Sequence, residues 1–325
     1  MASRGLQEQL DKYLTDAHSI EQQALAQMTV APGLAGDPEI ASAFSTHLGE
    51  TEEHERLVRE RLEARGASPS KLKDIAGTLT GKGFTAFARA QPDTPGKLVV
   101  HAFSYEHMEL AAYELLASVA ARAGDADTVQ TARTIERQEL AMGQRLERCF
   151  DRAVEAALRA LVPDDLQQQL DKYLADAHAI EAQARQLLEK APRLAGTADL
   201  ASAYEEHHGE TEEHQALLDA RLKARGGSPS SFKDAALRLG ALNWGAFFQA
   251  QPDTPAKLAG FAFAFEHLEI GAYELLRRVA ARASDPDTEQ AAQRILVQER
   301  AAADKVHTLF EQALDASLEP QRVGA

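Results

Sequence analysis

Apolar residues recur every three to four positions along four stretches of the first half of the chain, the spacing of helices that bury one face. The first stripe is Leu10, Leu14, Ala17, Ala24, Leu25 and Met28, and predicts a helix over residues 6–28 that ends near Pro32-Gly33. The second is Ile40, Phe44, Thr51, Val58 and Leu62; it follows Asp37-Pro38, a cap and a first-turn proline, and runs to about Gly66. The third holds Val99, Phe103, Leu110, Tyr113 and Ala117, opening at Thr94-Pro95 and stopping near Gly124. The fourth holds Ala132, Ile135, Met142, Leu146 and Phe150 and predicts a helix over 127–161. About 27 residues separate the second helix from the third, with Ser68-Pro69 opening a short helix there, whereas the other links are short.

The second half repeats this pattern. LDKYLTDAHSIE at Leu10–Glu21 returns as LDKYLADAHAIE at Leu170–Glu181, HLGETEEH at His47–His54 returns at His207–His214, and QPDTP at Gln91–Pro95 returns at Gln251–Pro255. Every match carries the same offset of 160 residues (170 − 10), too long for a solenoid repeat, so a whole domain is duplicated. The expected domains are 1–162 and 163–325. Pro163 should stop the preceding helix, an Asp of the Asp164-Asp165 pair can cap the next, and so short a junction implies halves packed together. The fold class is therefore all-α, two tandem four-helix bundles, and a single long crossover in each is the ferritin-like arrangement.

At 100° per residue, each apolar stripe also carries carboxylates. Glu21 sits in the centre of the first, Glu50 at the edge of the second with His47 and His54 on its line, Glu106 and Glu109 on the third, and Glu139 on the fourth. The second unit repeats them as Glu181, Glu210, Glu266, Glu269 and Glu299, with His207 and His214. An unpaired buried carboxylate costs several kcal/mol, and no Lys or Arg falls on these stripes. Two cations per bundle would neutralise the cluster, which is how di-iron and di-manganese bundles use inward glutamates with a histidine one turn away. The expected ligands are the ten glutamates with His54 and His214; His47 is the rival to His54, one of the two acting to orient a carboxylate. Tyr113 and Tyr273 lie on the ligand stripe as hydrogen-bond donors or core aromatics. A carboxylate-rich site favours iron or manganese over zinc.

Composition narrows the partners. The formal charge is −15, which disfavours nucleic acid and anionic membrane surfaces. No segment has the length to span a bilayer, and the N-terminus lacks an apolar signal core. The lone Cys149 aligns with Leu309 and reads as a core residue, so the cytoplasm is the expected compartment.

The segments SIEQQAL around Glu21, AFSTHLGETEEH around Glu50, YEHMELAAYELL around Glu106 and Glu109, and ERQEL around Glu139 resemble the YciE/YciF-like stress proteins, a ferritin-like branch, and more distantly rubrerythrin. The resemblance spans nearly all of each half. It implies a bundle that pairs two-fold, here as an internal pseudo-dimer. The usual Glu-x-x-His pairs are modified: Glu53 stands three residues after Glu50 with His54 at the fourth, Met142 follows Glu139 and Ala302 follows Glu299 at the third, and the third helix carries Glu-x-x-Glu. The leading functional expectation is a pair of di-metal centres, iron first and manganese second, handling metal, O2 or peroxide in a ferroxidase- or peroxidase-like way. An oxidase or oxygenase of an organic substrate, and a non-catalytic stress or interaction protein with structural metal or none, are the alternatives. No nucleophile motif points to hydrolysis.

Overall fold

The computed structural model describes residues 4–68, 94–159, 162–227 and 253–322. These form helices and short connections, with no strand among them, in two compact units, one built on residues up to Ala157 and the other on Leu158–Ser317. In the first unit the helices are α1 (Arg4–Met28), the one-turn α2 (Ala31–Leu34), α3 (Pro38–Ala64), α4 (Thr94–Ala123), α5 (Ala126–Glu147) and α6 (Phe150–Leu158). In the second they are α7 (Pro163–Lys190), a 3-10 turn at Ala191–Leu194, α8 (Ala198–Ala224), α9 (Thr254–Arg282), α10 (Pro286–Thr308) and α11 (Phe310–Arg322). The predicted short helix after Ser68 falls outside the described residues.

Cross-helix hydrogen bonds fix the direction of each helix. Gln7 Nε2 donates to Ala123 O and Tyr105 donates to Ile20 O, so α1 and α4 run antiparallel. Arg65 reaches Asp11 while His18 lies against Glu55, so α1 and α3 are antiparallel. Arg61 binds Thr128 and His54 binds Gln138, so α3 and α5 are antiparallel as well. The order is therefore up, down, down, up. Helices α3 and α4 point the same way and need a chain-long return between them, and each unit is a ferritin-like four-helix bundle.

Local chemistry accounts for most boundaries. Asp37 caps α3, accepting from the Glu39 and Ile40 amides at 2.9 and 3.2 Å, with Pro38 in the first turn. Two expectations are corrected. The fourth helix is interrupted at Arg148-Cys149, where the Cys149 amide bonds to Leu146 O, three residues back, and the chain restarts as α6 with Phe150, Val154 and Cys149 all buried. At the junction, α7 begins at Pro163 itself, and the N-cap position is Val162, which supplies no side-chain cap, rather than an aspartate.

One end of each bundle is clamped by charge. Arg65 binds Asp11, Asp125 and Gln7, while Arg61 binds Asp125, Asp127 and Thr128; Asp125 also caps α5 through the Thr128 amide. Arg225, Arg221 and Asp285 repeat this clamp in the second unit. Burial pushes the Asp125 carboxyl up, but Thr128 and the two guanidiniums outweigh it and hold it below the usual range; Asp285 lies at about 2 for the same reasons. The clamp ties α1, α3 and α5 in register, which sets the height at which their glutamates meet.

A buried carboxylate–histidine cluster in each unit

Midway along the first bundle, Glu21 of α1, His47 and His54 of α3, Glu106 and Glu109 of α4 and Glu139 of α5 converge, each no more than 1% exposed. Donor atoms of His47, Glu106, Glu109 and Glu139 lie within 4.8 Å of one another, and so do those of Glu21, His54 and Glu139. Glu139 thus belongs to both groups, as a bridging carboxylate between two cation positions would. The second unit repeats the two groups as His207, Glu266, Glu269, Glu299 and Glu181, His214, Glu299.

Each imidazole is held by an outer partner on one nitrogen. His47 Nδ1 donates to Glu50 Oε2 at 2.9 Å, and His54 Nε2 donates to Gln138 Oε1 at 2.9 Å. That leaves His47 Nε2 facing Glu106 at 3.0 Å and Glu139 at 3.3 Å, and His54 Nδ1 facing Glu139 at 2.8 Å. An imidazole fixed from outside by a carboxylate or amide, with its other nitrogen turned into a group of carboxylates, is an arrangement that metal-ligating histidines use. Tyr113 donates to Glu21 Oε1, as Tyr273 does to Glu181, resolving the tyrosines as hydrogen-bond donors to the cluster.

The remaining polar atoms have no such partner. Both oxygens of Glu109, Oε1 of Glu106 and Oε2 of Glu21 are buried without a hydrogen bond in the described structure, while Glu106 Oε2 and the Glu139 oxygens face the two imidazoles. Burial raises Glu21 to about 8 and Glu106 to about 7, and lifts Glu109 well above its ordinary value, with neighbouring Glu139 adding repulsion. Burial acts on Glu139 in the same direction, but His47 and His54 outweigh it and hold that carboxyl well below the usual range. Burial disfavours the charged form of His47, yet Glu106, Glu139 and Glu50 raise it well above 6.5. Without cations, then, the cluster is balanced by protons. The formal charge of the four fully buried glutamates of a unit equals that of two divalent cations, and oxygen-rich donors with imidazole are of the kind that suits iron or manganese.

The structure brings together Glu21, His54, Glu106, Glu109 and Glu139, and in the second unit Glu181, His214, Glu266, Glu269 and Glu299. It does not bring Glu50 or Glu210 into these groups; their side chains are 26% and 31% exposed and serve His47 and His207 from outside. His47 and His207 join the groups. His18 pairs with Glu55, and His107 bonds Phe103 O and meets its ring edge to face, and neither belongs to the two groups. Sequence reasoning missed Gln138 and Gln298. The signal was present, since each glutamine directly precedes the inward glutamate in both copies.

Fold and cluster together define a ferritin-like bundle protein with a buried carboxylate–histidine centre in each of two repeats. The chain belongs to the family described as Domain of unknown function (DUF892), whose profile matches residues 5–159 and again residues 165–319. No solved structure matches the chain. No helix among the described residues is long and apolar enough to cross a membrane.

Proposed function

We propose that each unit holds a pair of transition-metal ions, iron or manganese, and that the protein handles metal or reactive oxygen, oxidising Fe²⁺ with O2 or peroxide as acceptor. The observation that carries this reading is the convergence of four buried carboxylates from three helices on two histidines of the fourth, in two groups that share Glu139, with both Glu109 oxygens meeting no donor. His47, Glu106, Glu109 and Glu139 would hold one ion, and Glu21, His54 and Glu139 the other. Bound metal would supply Lewis acidity and redox capacity. The chain's own residues do the rest. Glu50 and Gln138 fix the imidazole tautomers and Tyr113 orients Glu21, within a bundle whose apolar core is buried.

The resemblance to YciE/YciF-like stress proteins supports a stress-linked role, in the cytoplasm that the lone cysteine suggests. A cavity of about 60 Å³ beside the second cluster favours small oxidants over an organic substrate. The test is metal analysis of protein prepared without chelators, then anaerobic Fe²⁺ loading and exposure to O2. About four ions per chain, two per unit, with O2 consumed as Fe²⁺ is oxidised, is the expected result. A chain that takes up no transition metal under any loading condition sinks the reading and leaves a protonated acidic scaffold.

A further inference from the structure

The two units differ beside their clusters, in space and in hydrogen-bonding capacity. In the second unit a cavity of about 60 Å³ lies against His207 and Glu266, walled in part by Tyr204, Ala302, Lys305 and Val306. Ala302 stands where the first unit has Met142, and Tyr204 where it has Phe44. Met142 is fully buried, its sulfur 3.6 Å from Arg145 Nη1, and that guanidinium lies 4.0 Å from Glu50 Oε2. A thioether and a cation therefore cover the His47 side of the first cluster. In the second unit, Lys305 pairs instead with Glu206, which replaces Thr46. Accessibility follows: the His47 and Glu106 side chains are 1% and 0% exposed, those of His207 and Glu266 6% and 4%.

The second, independent observation is the Tyr204 hydroxyl. The residue is 1% exposed and its oxygen is buried with no hydrogen-bond partner in the described structure. A buried O–H that makes no hydrogen bond is unfavourable unless something in the cavity accepts from it. Phe44 places no such group in the first unit. We propose that the second unit binds a small hydrogen-bond-accepting molecule, of roughly two to four heavy atoms and of the peroxide class, between Tyr204 and the His207–Glu266 side of its cluster, while Met142 and Phe44 deny that site to the first. The duplicated units are thereby unequal, one open to an exogenous ligand and one closed. This inference rests on the reading of the clusters as metal centres, since the ligand would sit against bound metal.

The test uses the full chain, iron-loaded and assayed for iron, with azide as the probe and visible absorption as the readout. Iron in both units, with azide saturating at the equivalent of one unit, is expected. Tyr204→Phe should weaken azide about tenfold, the loss of one hydrogen bond. Ala302→Met should abolish azide binding with iron content unchanged, and Met142→Ala with Phe44→Tyr should create a second azide site. Azide saturating both units of the unsubstituted chain, or indifferent to Tyr204→Phe and Ala302→Met, overturns the proposal. A chain that takes up no iron fails at the metal assay, before azide is added, and overturns the underlying reading with it. A metal-free check is independent of both: Ala302→Met should raise the unfolding midpoint of the chelated protein by filling the cavity, and a lowered midpoint overturns the proposal.

Discussion

Replacing Glu109 and Glu269 by glutamine separates what the clusters do for folding from what they do for metal. Burial lifts the Glu109 carboxyl well above 4.5, so the metal-free bundle holds this proton to a higher pH than the unfolded chain does. Where pH lies between the unfolded and folded values, folding must take up that proton, at about 1.4 kcal/mol for each pH unit above 4.5. The same holds for Glu269. Glutamine is neutral in both states and of similar shape, and its amide can donate toward Glu139, which lies in the same 4.8 Å group. A raised carboxyl is no burden below its unfolded value and becomes one as pH rises, so the gain should vanish near pH 4.5 and grow toward pH 8. In a unit of about 150 residues, each such pH unit corresponds to about 3–6 °C in melting temperature. With metal the sign reverses. An ion at a hundredfold excess over its Kd stabilises by about 2.7 kcal/mol, and the variant should lose this increment. The assay is thermal and denaturant unfolding of the double variant in chelator at pH 5 and pH 8, then with Fe²⁺ or Mn²⁺ under argon. Equal destabilisation at both pH values, or an undiminished metal-induced shift, would refute the reasoning.

Four further outcomes follow from the same geometry. Glu50→Ala with Glu210→Ala should weaken metal binding by about 10–100-fold without abolishing it, because His47 and His207 lose an orienting acceptor and no ligand is removed; titration with a competing chelator measures this. Asp125→Ala should cost about 2–3 kcal/mol of unfolding free energy, combining a lost helix cap with one lost charged hydrogen bond at each of two guanidiniums that keep their other partners. Asp125 and Asp285 are held below 3.8, so the stability they contribute is present above that pH and is lost as pH falls through it toward 2, which acid titration of helicity can follow. Ser284→Gly should stabilise the second unit by about 0.5–1 kcal/mol, since Ser284 closes α9 at φ 57° where the first unit has Gly124 at φ 75°; an unchanged or lowered denaturation midpoint would count against it.

The described helices were legible in the amino-acid pattern because the signals that make them are local. Asp37-Pro38 caps and starts α3 through atoms within three residues, and the spacing of Leu10, Leu14 and Ala17 marks the buried face of α1 whatever packs against it. The duplication and the inward-facing Glu21, Glu106, Glu109 and Glu139 were legible for the same reason, as azimuth on a helix is set by 3.6 residues per turn. The break at Cys149 was not, because one i−3 hydrogen bond there leaves the apolar stripe nearly unchanged.

Distance between helices is what only the tertiary structure decided. Glu50 and His47 share a helix face within one turn, and azimuth alone cannot rank them; the position of α4 and α5 puts His47 Nε2 against Glu106 and Glu139 and leaves Glu50 on its outer nitrogen. Gln138 points away from the strict apolar stripe, yet α3 passes close enough for His54 to reach it. The cavity at Tyr204 and Ala302 is likewise the joint product of two facing helices, since a shortened side chain makes space only where nothing across the interface moves in to fill it. Sequence fixed which groups each helix could offer, because side-chain direction follows from local backbone geometry. Which of those groups meet depended on the heights of the helices, and the Arg65–Asp11–Asp125 clamp sets those heights through contacts between residues far apart in the chain.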